Sequence, residues 1–203
     1  MHFLTLLRHG RSAADDENRY ESRYDCPLTD TGRRQATALA TAWAGDPQRR
    51  YDVIVTSPLK RATETASILS GILHLPVVQS DFLLELDAGA LCGLPREEGQ
   101  RRYPEPSFCG PYDRIVAGTG ESEAQLHARA LLALDGILNM GKTGYLAVSH
   151  GQMLNAILRA MLGIPLPVNR DGAFFRFTDT AYLDAAYERG RHRWIVAEFR
   201  SGP

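Results

Sequence analysis

Two short apolar runs each end in a histidine followed by a glycine. Phe3 to Leu7 leads into Arg8-His9-Gly10, and Gly144 to Val148 leads into Ser149-His150-Gly151. Each run has the length and composition of a buried strand. The carboxyl end of a buried strand is where α/β folds place ligands and chemistry. Such strands need both faces covered, so the spacing between them constrains the fold. Helical periodicity fills that spacing. Thr29 or Asp30 can cap a helix whose apolar positions are Ala36, Leu39, Ala40 and Trp43. Tyr51 to Thr56 reads as a second strand, followed by a helix with Ser57 at the cap and Pro58 in the first turn. Leu75 to Val78 is a further short strand, and Glu121 to Met140 a long helix. Met153 to Leu162 is a helix stopped by Gly163 and Pro165. Ala173 to Phe177, Ala181 to Tyr187 and Trp194 to Phe199 alternate as strands do. Strands alternating with helices predict an α/β fold: a three-layer α/β/α sandwich around a mostly parallel sheet. With 203 residues, one domain over 1–203 is expected. Residues from about 81 to 120 break the pattern with glycines, prolines, charges and aromatics, and are expected to form a loop-rich active-site cover anchored by Tyr103, Phe108 and Tyr112.

Bulk properties remove several function classes. Net charge is −1, so no global basic field suggests nucleic acid or an acidic membrane. No apolar run approaches the roughly 20 residues that span a bilayer. Arg8 and His9 interrupt the first apolar stretch too early for a secretory leader. Cys26, Cys92 and Cys109 form no C-x-x-C pair and are expected to be free thiols in a reducing, cytoplasmic setting, with no structural zinc. Oligomeric state is not legible in the sequence; a homodimer stays open.

The chemistry-bearing residues gather if the strands neighbour one another. Arg8 brings a planar, permanently charged fork suited to phosphate. The segment Thr56-Ser57-Pro58-Leu59-Lys60-Arg61-Ala62 puts Arg61 at a helix N-terminus, where free N–H groups already favour anions. Two histidines and two arginines at one sheet edge would make an anion site with nucleophile candidates.

With these residues in order, the chain resembles the histidine phosphatase superfamily, in its phosphoglycerate-mutase-like branch that includes small-metabolite phosphatases. The resemblance runs nearly the full length. It rests on Arg8-His9-Gly10, Leu28-Thr29-Asp30-Thr31-Gly32 with Gln35-Ala36, and Ser57-Pro58-Leu59-Lys60-Arg61-Ala62 with Thr65-Ala66. It continues through Leu84-Glu85 followed by Gly89 and Gly93, Gly120-Glu121-Ser122, and Ser149-His150-Gly151. It implies that His9 is a nucleophile that becomes phosphohistidine, with Arg8, Arg61 and His150 around the transferred group and Glu85 as proton donor. Neither metal nor cofactor is implied. The implied substrate is a small phosphorylated metabolite, with inorganic phosphate as product. Gly151 and Gln152, beside His150, are expected at the substrate.

The loop after His9 departs from the family. Asp15 stands where relatives commonly have a phosphate-contacting Asn. An Asp there repels a dianion unless it is protonated, paired with an arginine or turned away. Glu21 and Ser22 stand where the mutases carry small residues for the substrate's carboxylate end, and Glu21 would oppose a second anion. The chain is also read as lacking the long insertion and extended tail of those mutases that work through a bisphosphate cofactor. A metal-independent phosphatase is therefore expected. The alternatives are a phosphoglycerate mutase, recognised by its 2-phosphoglycerate product, and a non-catalytic phospholigand-binding module, which would need no proton donor. Arg101, Arg102 and Tyr103, and the pair Arg19 and Arg23, are candidates for leaving-group contacts. His2, His74, His127 and His192 are assigned to solvent or packing.

Overall fold

The computed structural model describes residues 1–116, 118–169 and 171–202. The chain opens with β1 (His2–Arg8) and a single turn, α1 (Ala13–Asp16), before α2 (Asp30–Ala44). Then follow β2 (Val53–Thr56), α3 (Lys60–Leu73), β3 (Val77–Gln79) and α4 (Arg96–Arg102). A hairpin of β4 (Arg114–Val116) and β5 (Thr119–Ser122) precedes α5 (Glu123–Leu138), β6 (Gly144–Ser149) and α6 (Gly151–Leu162). Strands β7 (Tyr182–Glu188) and β8 (Arg193–Arg200) close the order.

Six strands form one sheet in the order β3-β2-β6-β1-β7-β8. Strand β7 runs antiparallel to both its neighbours, and the remaining pairings are parallel. Strand alternation sends successive side chains to opposite faces. Leu4, Leu6, Val53, Val55, Tyr145 and Ala147 pack on one face with Leu126, Ala130 and Leu134 of α5 and Leu154 and Ile157 of α6. Leu7, Ile54, Leu146 and Val148 pack on the other with Ala40 and Trp43 of α2 and Ala62, Ala66 and Leu69 of α3. The mixed α/β, three-layer arrangement expected from the sequence is the one found.

Local chemistry decides the helix ends. Thr29, rather than Asp30, caps α2, its hydroxyl accepting from the Gly32 N–H at 3.1 Å. Ser122 caps α5 reciprocally with Gln125, so that helix starts two residues later than expected. Gly163 ends α6 with φ +66°.

Two expectations are corrected. Ser57 does not cap α3: the helix starts at Lys60, Leu59 holds the cap position, and the Lys60 N–H donates to Asp25 Oδ1 at 2.7 Å. The cap is supplied from the loop before α2, which leaves Ser57 for other work. Ala173 to Phe177 is not a strand. Its backbone groups are taken by side chains: Phe175 exchanges two 2.8 Å bonds with the Asn155 amide, and the Phe177 carbonyl accepts from Arg8. With these groups bound elsewhere, the alternating contacts of a ladder are broken. The irregular segment from 81 to 120, of which Ala117 lies outside the described residues, holds α4 and the β4–β5 hairpin.

Candidate active site

Register brings the site together. Arg8 lies opposite Ser149 on neighbouring β1 and β6, and Thr56 opposite Val148 on β6 and β2. The His9 N–H donates to the Ser149 carbonyl at 3.1 Å and the Ser57 N–H to the Val148 carbonyl at 3.0 Å. Three parallel strands thus end side by side. The His9 and His150 rings lie 5.0 Å apart. Both histidines and Arg61 are fully buried, and Glu85 is 7% exposed.

Gly10 is required by a close approach of two backbones. A Cβ there would stand 2.6 Å from the Gly32 carbonyl oxygen, and one on Gly32 would stand 2.1 Å from that of Arg11. Two glycines let the start of α2 press against the chain that carries His9.

His9 is locked in one tautomer. Its Nδ1–H donates to the Gly10 carbonyl at 2.7 Å, which leaves the Nε2 lone pair to accept from Arg61 Nε–H at 3.2 Å. Burial, then Arg61 and Arg8, hold its pKa well below 6.5, so the ring is neutral and nucleophilic. His150 is depressed likewise by burial, then Arg61. Its Nε2 meets Ser57 Oγ at 2.8 Å, while Nδ1 is buried without a hydrogen-bond partner among the described residues. Arg61 completes the frame, donating through its two terminal nitrogens to the Ser22 and Tyr24 carbonyls at 2.7 Å each.

Glu85 sits against the start of α6. It accepts from the Leu86, Met153 and Gln152 N–H groups at 2.8, 3.0 and 3.1 Å. Burial nevertheless raises its pKa, against the pull of these donors and of Arg61. A carboxyl poised this way can hold a proton and release it. Arg129 supports the segment from outside, donating to the Leu84 and Glu85 carbonyls.

The remaining expected residues divide. Arg8, Glu21, Ser22, Glu85, Gly151 and Gln152 line one cavity of about 1180 Å³, together with Arg102, Tyr103, Phe108 and Tyr112 from the irregular segment. Asp15 is paired with an arginine. It closes a capping box with Ser12, whose N–H donates to it at 2.9 Å, and its other oxygen lies 3.5 Å from Arg8. The Ser22 hydroxyl is committed to the Leu86 carbonyl and the Ala88 N–H. Arg19 and Arg23 are tied to Glu17 and to Asp87 and Glu121. Sequence reasoning missed Ser57, Ser12 and Asp179, the last 3.2 Å from Arg8. No spacing marks them, because each acts through a partner distant in sequence. Among the described residues, no group of three or more His, Cys, Asp or Glu side chains could hold a metal ion, and no helix is long and apolar enough to cross a membrane.

Residues 4–195 match the family model described as the histidine phosphatase superfamily, branch 1, and the chain belongs to that family. It is 32% identical over 167 residues to the uncharacterized phosphatase PhoE of Bacillus subtilis, spanning 79% of this chain and 77% of PhoE. It is equally 32% identical over 164 residues to the probable phosphoglycerate mutase GpmB of Yersinia enterocolitica, spanning 79% and 74%. A solved structure of mycobacterial glucosyl-3-phosphoglycerate phosphatase in complex with VO3 superimposes over both whole chains with a TM-score of 0.81 at 23% identity, which shows a shared fold.

The protonation states make stability pH-dependent. Folded His9 and His150 stay neutral where their unfolded forms, with pKa near 6.5, bind protons. Their contribution is therefore present above 6.5 and lost as pH falls toward their depressed folded values, by up to about 1.4 kcal/mol per pH unit each. Glu85 acts oppositely: folded, it holds a proton above 4.5 that the unfolded form releases, so its contribution is lost as pH rises. The midpoint of thermal unfolding is expected to drop between about pH 8 and about pH 5, with His9→Asn flattening the slope. An unchanged slope in His9→Asn would refute the neutral, buried imidazole.

Proposed function

We propose that this protein is a phosphatase that hydrolyses a small phosphomonoester without a metal, through a phosphohistidine on His9. The observation that carries this is the neutral His9 Nε2, fixed by its Nδ1–H bond to Gly10 and approached by Arg61. Phosphoryl transfer asks the protein for positioning and for charge against the equatorial oxygens. Arg8 and Arg61 supply charge. His150, with the Ser57 hydroxyl donating to Nε2, offers its unpartnered Nδ1–H. Attack by Nε2 forms an N–P bond as the ester P–O bond breaks, and Glu85 protonates the departing oxygen. Glu85 then takes a proton from the water that attacks the phosphohistidine, releasing inorganic phosphate and restoring His9.

The cavity extends well beyond a phosphoryl group, so the leaving group lies among Arg102, Tyr103, Phe108 and Tyr112. Hydrolysis is favoured over a mutase reaction because Glu21 lines the same cavity and opposes the second anion of a phosphoglycerate. A cytoplasmic setting fits the three free thiols, Cys26 buried and Cys92 and Cys109 half-buried. The substrate is taken to be a free metabolite, with no nucleic acid or membrane involved.

Glu85→Gln tests the proton-donor role. It keeps the shape but cannot give up a proton, so kcat/KM on an alkyl phosphate, which reports only the steps through phosphoryl transfer to His9, is expected to fall roughly 10²- to 10⁴-fold. An aryl phosphate, whose leaving group needs no proton, should lose far less. Equal losses on both substrates would remove Glu85 from that role.

A further inference from the structure

A carboxylate stands beside the atom that must receive the phosphoryl group. Glu21 Oε2 lies 3.9 Å from His9 Nε2 and 3.6 Å from Arg8, and Oε1 lies 3.5 Å from Arg61 Nε. The Ser12 hydroxyl donates to Oε1 and holds it there. A phosphoryl group attached to Nε2 fills this gap, so one of its oxygens meets the Glu21 carboxylate. Two ionised oxygens in contact repel. One proton between them turns that repulsion into a short, charge-assisted hydrogen bond.

The surrounding charge points the same way. Arg8 and Arg61 are the guanidiniums facing Glu21, and Arg8 is already shared with Asp15 on α1 and Asp179 before β7. His9 and His150 add no charge, being neutral through burial and the same arginines. Glu85 lines the same cavity as Glu21. A seat with two cations against the carboxylates of Glu21, Asp15 and Asp179 is poorly matched to a dianion and well matched to a monoanion.

We propose that Glu21 makes this site selective for the singly protonated phosphoryl group: its carboxylate accepts a hydrogen bond from the P–OH and excludes tetrahedral anions that carry no proton. The inference rests on the phosphatase reading above and adds the ionisation state of the substrate. A phosphomonoester loses that proton with a pKa of about 6, so the competent form is plentiful on the acid side and scarce above neutrality.

The test is the ratio of sulfate to inorganic phosphate dissociation constants, measured by calorimetry on the full chain between about pH 5 and about pH 8. Sulfate has the same shape but keeps no proton in this range. The ratio cancels effects that Glu85 or the histidines exert on both anions alike. The wild type is expected to bind sulfate roughly 10- to 100-fold more weakly than phosphate at the acid end. Its phosphate affinity should fall as pH rises. In Glu21→Gln, whose amide can donate, the ratio should approach one and the fall should disappear. Equal binding of sulfate and phosphate by the wild type overturns the proposal, and that arm needs no variant. The same phosphate profile in Glu21→Gln as in the wild type overturns it too. Because binding is read directly, an inactive wild type would sink the phosphatase reading while leaving this result interpretable.

Discussion

Replacing His9 with alanine is expected to lower turnover of any phosphomonoester by roughly 10⁴-fold or more, with the fold retained. Nε2 combines a lone pair, full burial and an arginine N–H aimed at it. Its removal deletes the covalent path, and water has no comparable position from which to attack. The ring is neutral and makes two bonds, to the Gly10 carbonyl and from Arg61 Nε–H, and Arg61 without it keeps the Ser22 and Tyr24 carbonyls and the nearby Glu21 carboxylate. His9→Asn is the companion variant should alanine leave too large a void. The measurement pairs turnover of an aryl phosphate with a thermal melt. A third arm quenches the wild type with labelled substrate in alkaline denaturant, where phosphohistidine survives. Label should remain on the wild-type chain and be absent from either variant. Turnover within tenfold of wild type in a folded His9→Ala would end the phosphohistidine mechanism.

Arg61→Ala is expected to damage function and fold together. Its guanidinium meets His9 Nε2 on one edge and the Ser22 and Tyr24 carbonyls on the others. Without it, two carbonyls lose their donors and Glu21 loses a nearby cation. The expected cost is about 3 kcal/mol, or roughly 6–12 °C in the unfolding midpoint for a chain of this size. The same change removes charge from the developing transition state, for a loss of roughly 10³-fold or more in kcat/KM. Arg61→Lys separates the two effects. It restores charge but cannot span three acceptors with a planar fork, so it should recover part of the activity and little of the stability. Full stability in Arg61→Lys would show that the carbonyl bonds matter less than the charge.

The legible part of this protein was local. Strand lengths, the Thr29 cap and the Gly163 stop follow from neighbours in sequence, and the structure reproduces them within a residue or two. The misreadings arose where a distant side chain took over a backbone group. Ala173 to Phe177 alternates like a strand, yet Asn155 and Arg8 bind its backbone. Ser57 sits where a cap belongs, yet Asp25 caps the helix and Ser57 turns to His150. The loop after His9 was flagged by its departure from the family it resembles. Asp15 and Glu21 looked equally anomalous, and only packing separated them: Asp15 closes a turn, while Glu21 faces the nucleophile.

The sequence by itself determined the layered α/β pattern, the family and the residue types of an anion site, because periodicity and short motifs are properties of adjacent residues. The tertiary structure alone decided that Arg8, His9, Arg61, Glu85 and His150 converge. Parallel strand register sets residues from 8 to 150 side by side, and register is a long-range property of the whole sheet. It also decided the ionisation that the chemistry needs. Burial and two guanidiniums keep His9 neutral, and burial lifts Glu85 toward holding a proton. Neither effect exists until the chain has excluded water from that sheet edge.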